Sequence, residues 1–111
     1  MRSIACAVAV SVLALSAPLS AWADETGLAS SHDLVKSGGR LCFADHVHSG
    51  SGDGATKDKA RAAAIRAWAD FVDLEYGSTW ARFSLAAGAK TSYVKEASGW
   101  NATVEARPCR G

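Results

Sequence analysis

Apolar side chains recur at three- and four-residue spacing through one stretch in the second half of the chain. The stripe consists of Ile65, Trp68, Ala69, Val72 and Tyr76. Thr56 or Asp53 can cap the start of this stretch, and Gly77 is of the residue type that commonly ends a helix. The spacing therefore predicts an amphipathic helix over about residues 57–76.

The segment before this helix shows a different, two-residue period. Across residues 40–48, one face of an extended chain would carry Leu41, Phe43, Asp45 and Val47, and the other Cys42, Ala44, His46 and His48. This alternation predicts a strand over 40–48. Glycine at positions 50, 52 and 54 predicts that the chain from 48 to 56 is a loop, because glycine weakens both helices and strands.

Three further stretches follow the helix, over residues 80–87, 91–96 and 100–107. The first and last of these alternate as strands do, the middle one is a short run with Tyr93 and Val94, and turn residues separate them at 88–90 and 97–99. Pro108 ends the last stretch. The predicted order of elements is thus β-α-β-β(-β).

One helix with one apolar stripe needs one sheet face to cover it. The predicted fold class is α+β, with the amphipathic helix packed on a three- or four-stranded, mainly antiparallel sheet. At 111 residues the chain has room for one such domain. We assign this domain to residues 38–111 and interpret 24–37, which lacks a period, as a flexible lead-in.

The first 23 residues have the order of a secretory signal peptide. Arg2 is followed by an apolar run over 4–15, and Ala21-Trp22-Ala23 supplies the small residues required before cleavage. The alternative, a membrane anchor, requires a longer apolar run. We therefore expect cleavage near Ala23, a periplasmic or secreted location, and no transmembrane segment in the mature chain.

Removal of this leader changes the cysteine count and the net charge. Cys6 and Arg2 leave with it, so Cys42 and Cys109 remain and basic and acidic residues become equal in number. Two cysteines in a small exported domain predict a disulfide, which would bring the first and last strands together. A neutral chain is not a strongly basic nucleic-acid binder, so no nucleic-acid partner is expected.

His46 and His48 are the candidate metal ligands. On a strand, residues two apart project from the same face, so both imidazoles can meet one divalent ion. His32 and Asp33 are further candidate ligands in the lead-in. The alternative is that His46 and His48 are two solvated residues at a strand end.

The sequence contains no motif typical of nucleotide binding or of nucleophilic catalysis. The glycine segment matches neither a dinucleotide fingerprint nor a Walker loop, and no serine lies in a nucleophile elbow. Cys42 and His46 could form a nucleophilic pair only if the disulfide were absent. We therefore predict neither an enzyme nor an organic cofactor.

Several segments show a likeness to known proteins. The runs 60–68 and 106–109, with Tyr76-Gly77 and Trp80, resemble small exported bacterial proteins without an assigned function. The predicted element order resembles that of dodecin-like domains, strand–helix–strand–strand units that often oligomerise. These likenesses imply a small exported α+β domain. None of the flavin-contacting residues of dodecins has a match here.

Phe71 and Leu74 lie on the helix outside its apolar stripe. An exposed apolar pair of this kind predicts a face for a partner or for a second copy of the chain. The leading functional hypothesis is therefore an exported, non-enzymatic binding or accessory domain that takes a protein or a small ligand. The alternative is a small periplasmic metal-binding protein that uses His46 and His48.

Overall fold

The computed structural model describes residues 24–111, so the predicted signal peptide lies outside the described residues. In chain order the elements are β1 (Leu34–Ser37), β2 (Arg40–Phe43), β3 (His48–Gly54), α1 (Lys57–Tyr76), β4 (Ala87–Glu96), β5 (Gly99–Arg107) and β6 (Cys109–Arg110). Short 3-10 helices occupy Leu28–Ser31, Ser78–Trp80 and Phe83–Leu85. No helix among these residues is long and apolar enough to cross a membrane.

The predicted helix is confirmed as α1. The Thr56 side chain caps it by accepting a hydrogen bond from the backbone N–H of Lys59 at 3.2 Å. At the other end Gly77 has φ +103° and donates its N–H to Asp73 O. The buried face consists of Ala60, Ala64, Trp68, Val72 and Tyr76.

The strands form two three-stranded antiparallel sheets, and the α+β class is confirmed. One sheet has the order β3-β5-β4 and carries α1 on one face, while the other has the order β1-β2-β6. The helix-bearing unit β3-α1-β4-β5 has the predicted strand–helix–strand–strand order. The smaller sheet includes β1, which lies in the segment where the sequence shows no period.

The prediction of a glycine loop over 48–56 is wrong, because residues His48–Gly54 form the edge strand β3. The three glycines face α1. A Cβ atom added at Gly50 would lie 2.4 Å from both the carbonyl oxygen of Ala64 and the backbone nitrogen of Trp68. The glycines therefore allow the helix backbone to rest directly on the strand, an approach that any side chain would prevent.

The prediction of a strand over 80–87 is also wrong. This segment forms two 3-10 turns, and pairing with β5 begins only at Ala87, with a shift in register before Lys90. Trp80 is buried, and the Phe83 ring packs edge-on against Trp68 at 5.2 Å between centroids. Residues three apart point to opposite faces of a strand, so a strand could not turn both aromatic rings inward.

The first predicted strand, 40–48, divides in two. β2 ends at Phe43 and the chain crosses between the sheets over 44–47 before β3 begins at His48. Arg107 fixes this crossing by donating from one guanidinium nitrogen to Phe43 O at 3.0 Å and to Ala44 O at 3.1 Å. His46 therefore lies in a loop rather than on a strand.

The predicted disulfide between Cys42 and Cys109 is confirmed, and both residues are fully buried. The two cysteines are direct partners in the register of β2 and β6. The bond joins the first part of the domain to its last residues. It also anchors β2 beside Phe43, whose fully buried side chain contacts the candidate functional site.

Candidate metal centre

Three side chains that carry ligand atoms converge where the 44–47 crossing meets the last turn of α1. They are His46, His48 and Glu75, and their ligand atoms all lie within 4.8 Å of one another. His46 comes from the crossing, His48 from the first residue of β3, and Glu75 from the end of the helix. The group thus joins three separate elements of the fold.

His48 is the inner member of this group and is only 6% exposed. Its Nε2 lies 3.0 Å from the Tyr76 hydroxyl and 3.3 Å from Oε2 of Glu75. Burial is the main cause that lowers the pKa of His48, and the neighbouring His46 adds to the effect. The imidazole is therefore neutral at pH 7, which is the form that binds a metal ion.

Glu75 places a carboxylate oxygen against this imidazole. Its side chain is 40% exposed, but its Oε2 atom is buried and, among the described residues, accepts no well-aligned hydrogen bond. A buried carboxylate oxygen without a donor is unfavourable, because burial removes the water that would otherwise solvate it. The site therefore has a buried carboxylate oxygen whose polar neighbour is an imidazole nitrogen at 3.3 Å.

His46 completes the group from the solvent side. Its ring centroid lies 4.6 Å from that of His48, although the two residues do not share a strand face as predicted. The end of β2 at Phe43 changes the direction of the chain, yet the crossing returns His46 to its neighbour. The predicted proximity of the two histidines is present, and its predicted origin is wrong.

Tyr76 connects this group to a third histidine. Burial and the adjacent Glu75 raise the pKa of Tyr76 to about 12, so its hydroxyl stays protonated. That hydroxyl lies 3.0 Å from His48 Nε2 and 3.4 Å from His32 Nε2. His32, named as a further candidate ligand from the sequence, therefore lies beside the site.

A cleft of about 330 Å³ opens next to these histidines. Its lining residues are Ser31, His32, Asp33, Asp45 and His46. Two of the five are carboxylates and none is a lysine or an arginine. The cleft walls therefore favour an approaching cation.

The geometry can be compared with that of a tetrahedral zinc site. Bonds of 2.0–2.1 Å place neighbouring ligand atoms about 3.3 Å apart. The His48–Glu75 pair already has this separation, at 3.3 Å. His46 lies in an exposed loop, so rotation of its side chain can shorten its distances to the other two ligand atoms.

Sequence reasoning missed Glu75. The residue precedes Tyr76 at the edge of the apolar stripe, so its position on the inner side of the helix end was readable from the period. Its pairing with His48 was not readable. That contact depends on how the helix crosses β3. The sequence predicts a loop in place of this glycine-containing strand, so the crossing could not be predicted.

Phe71 and Leu74 are exposed on α1, at 47% and 79%, as their positions outside the stripe predict. The Phe71 ring lies 5.1 Å from that of His48, so the apolar pair begins at the edge of the histidine group.

Comparison with known proteins finds no match for this chain among protein families, curated proteins or solved structures. The chemistry of the side chains themselves is therefore what indicates a function. Those with the densest ligand chemistry are His46, His48 and Glu75.

Proposed function

We propose that this protein binds one divalent transition-metal ion through His46, His48 and Glu75. The observation that carries the proposal is the convergence of three ligand atoms within 4.8 Å of one another, in which the buried Oε2 atom of Glu75 lies 3.3 Å from His48 Nε2. A divalent cation between these atoms would satisfy the carboxylate and use the imidazole lone pair.

The donor set favours some metals over others. Imidazole nitrogen suits Zn²⁺, Cu²⁺ and Ni²⁺, whereas Ca²⁺ and Mg²⁺ prefer sites made entirely of oxygen ligands. Two imidazoles and one carboxylate therefore support Zn²⁺ or Cu²⁺ as the bound ion. Asp33 and Asp45 in the adjacent cleft would raise the local concentration of either cation.

The proposed role is that of an exported, non-enzymatic metal-binding domain. The Cys42–Cys109 bond supports a location outside the cytoplasm, since disulfides persist in oxidising compartments. The leader-like residues 1–23 support the same location.

Titration calorimetry with Zn²⁺ and with Cu²⁺ tests the proposal. We expect the purified protein to bind one ion with a Kd of about 1 µM or tighter for at least one of the two metals. His48→Ala and Glu75→Gln should each weaken binding about 100-fold, because each removes a ligand. Asp70→Asn, which removes an exposed carboxylate from the same helix, should leave the Kd unchanged.

Two outcomes of this titration would count against a metal site. One is binding no tighter than about 10 µM for both ions, which is a value that scattered surface histidines can reach. The other is equal loss of affinity in Asp70→Asn and Glu75→Gln, which would indicate a general effect of negative charge. Circular dichroism of each variant would show whether it is folded.

A second candidate function is binding of another copy of this chain through Phe71 and Leu74. We propose it because both side chains are exposed on one helix face and adjoin the histidine group. Sedimentation equilibrium should then show a dimer that Leu74→Ser dissociates and Val94→Ser does not. Val94 is a matched control because it is 62% exposed on the sheet. A monomer at every concentration would exclude this function.

A further inference from the structure

We infer that His32 is the fourth protein ligand of the proposed metal site. This inference rests on the proposed function and adds to it the completion of the coordination sphere. His32 lies outside the three-residue group, yet its position, orientation and hydrogen bonds all suit a ligand.

The hydrogen bond of His32 indicates which of its ring nitrogens keeps a lone pair for a metal ion. Its Nδ1 lies 3.2 Å from the carbonyl oxygen of Leu28. Only a protonated Nδ1 can donate to a carbonyl oxygen, so the lone pair of the neutral ring is on Nε2. A backbone carbonyl that accepts from the second ring nitrogen is the usual partner of a metal-bound histidine.

The ring of His32 is also held in a defined plane. It stacks on the buried Phe43 ring at 4.8 Å between centroids and with 8° between the planes. It lies 4.9 Å from the His46 ring, and its Nε2 lies 3.4 Å from the Tyr76 hydroxyl. The free nitrogen therefore faces the Tyr76 hydroxyl, which also contacts His48 Nε2.

The Tyr76 hydroxyl shows how close the nitrogens are. It reaches His32 Nε2 at 3.4 Å and His48 Nε2 at 3.0 Å, so a single oxygen atom spans the two. One ion with bonds of 2.0–2.1 Å can join the same two nitrogens only if they come within about 4 Å of each other. The hydroxyl would then leave its present position between them.

The backbone ties the His32 segment to the rest of the site. Thr26 donates from its hydroxyl to Glu75 O at 2.6 Å and from its N–H to Tyr76 O at 3.1 Å. The backbone carbonyl oxygen of Asp33 accepts a hydrogen bond from the N–H of Ala44 at 2.8 Å, at the start of the crossing that carries His46. The segment is therefore fastened on both sides of His32, to the elements that supply the other ligands.

A fourth protein ligand changes what the site can do. Catalytic zinc sites keep one position open for water, whereas sites with four protein ligands are closed. With His32 bound, three imidazoles and one carboxylate fill a tetrahedral sphere. The site would then hold its ion without activating water, as a metal-holding domain requires.

Cobalt substitution tests this inference, because Co²⁺ absorbs visible light with an intensity that depends on its coordination. The variants are His32→Phe, which keeps the stack on Phe43 but lacks a ligand nitrogen, and His32→Ala, which leaves space for a free imidazole. Ser30→Ala is the matched control, since it alters an exposed residue of the same turn whose hydroxyl donates to Gly27 O.

We expect wild-type protein and Ser30→Ala to give the same intense tetrahedral Co²⁺ spectrum. His32→Phe should bind Zn²⁺ at least about 10- to 100-fold more weakly, with an altered Co²⁺ spectrum. Added imidazole should restore the wild-type spectrum in His32→Ala. A purely structural role for His32 would not produce this rescue.

The failures of the two proposals are distinguishable. If wild-type protein binds neither Zn²⁺ nor Co²⁺, the proposed function is overturned and this inference with it. If wild-type protein binds one ion, and His32→Phe matches it in both Kd and Co²⁺ spectrum, the metal site stands. In that case His32 is not a ligand and the inference is overturned.

Discussion

Replacement of both Cys42 and Cys109 by alanine is expected to lower the free energy of unfolding by about 4 kcal/mol. The disulfide closes a loop with a sequence separation of 67, and removing the bond restores that loop's conformational freedom to the unfolded chain. The bond is important here because many of the buried side chains are alanines, which bury little apolar area.

Urea unfolding of the wild-type protein and of the double variant measures this effect. Wild-type protein kept in a reducing agent is the control, because it loses the bond but keeps both sulfur atoms. We expect both samples to be destabilised by similar amounts. A change below about 1 kcal/mol in both would show that the disulfide constrains the unfolded chain far less than its loop length predicts.

Gly50→Ala is expected to destabilise the protein by about 3 kcal/mol or more. The added Cβ would lie 2.4 Å from two backbone atoms of α1, the carbonyl oxygen of Ala64 and the nitrogen of Trp68. Backbone atoms cannot rotate away, so the helix must move off the strand. That movement would open the core at Trp68, which is fully buried.

Ser49→Ala provides a matched control for this substitution. Ser49 precedes Gly50 in β3, and its side chain is exposed on the opposite face of the sheet. Its replacement should change the midpoint of thermal unfolding little. Equal midpoints for Gly50→Ala and the wild-type protein would contradict the close approach of helix and strand.

The sequence predicted well the features that depend on local pattern. The period of Trp68, Val72 and Tyr76 defines α1 without knowledge of any other element. β5 alternates over nine residues and was readable for the same reason. The pairing of Cys42 with Cys109 followed from cysteine arithmetic once the leader was set aside.

The features that were missed depend on contacts between elements. Glycines at 50, 52 and 54 normally argue against a strand, but here the neighbour is a helix backbone that leaves no room for side chains. Trp80 and Phe83 appear as part of a strand pattern until the core that draws both inward is known. In each case tertiary packing overrides the local preference.

Only part of the candidate site could be predicted from the sequence, because its other residues come together through contacts between elements. His46 and His48 are close in sequence, and their proximity survives the loss of the predicted strand. Glu75 joins them only through the crossing of α1 over β3, and His32 only through the docking of its segment on Phe43. No spacing rule connects residues 32, 48 and 75.

Long-range ¹H–¹⁵N NMR of the imidazole rings, during addition of Zn²⁺ to the purified protein, tests the central claim most directly. The account predicts that the ring nitrogens of His46 and His48 shift together and stop shifting at one equivalent of metal. Ring nitrogens that stay unchanged, or that shift separately and without saturation, would contradict a metal site built on these two residues.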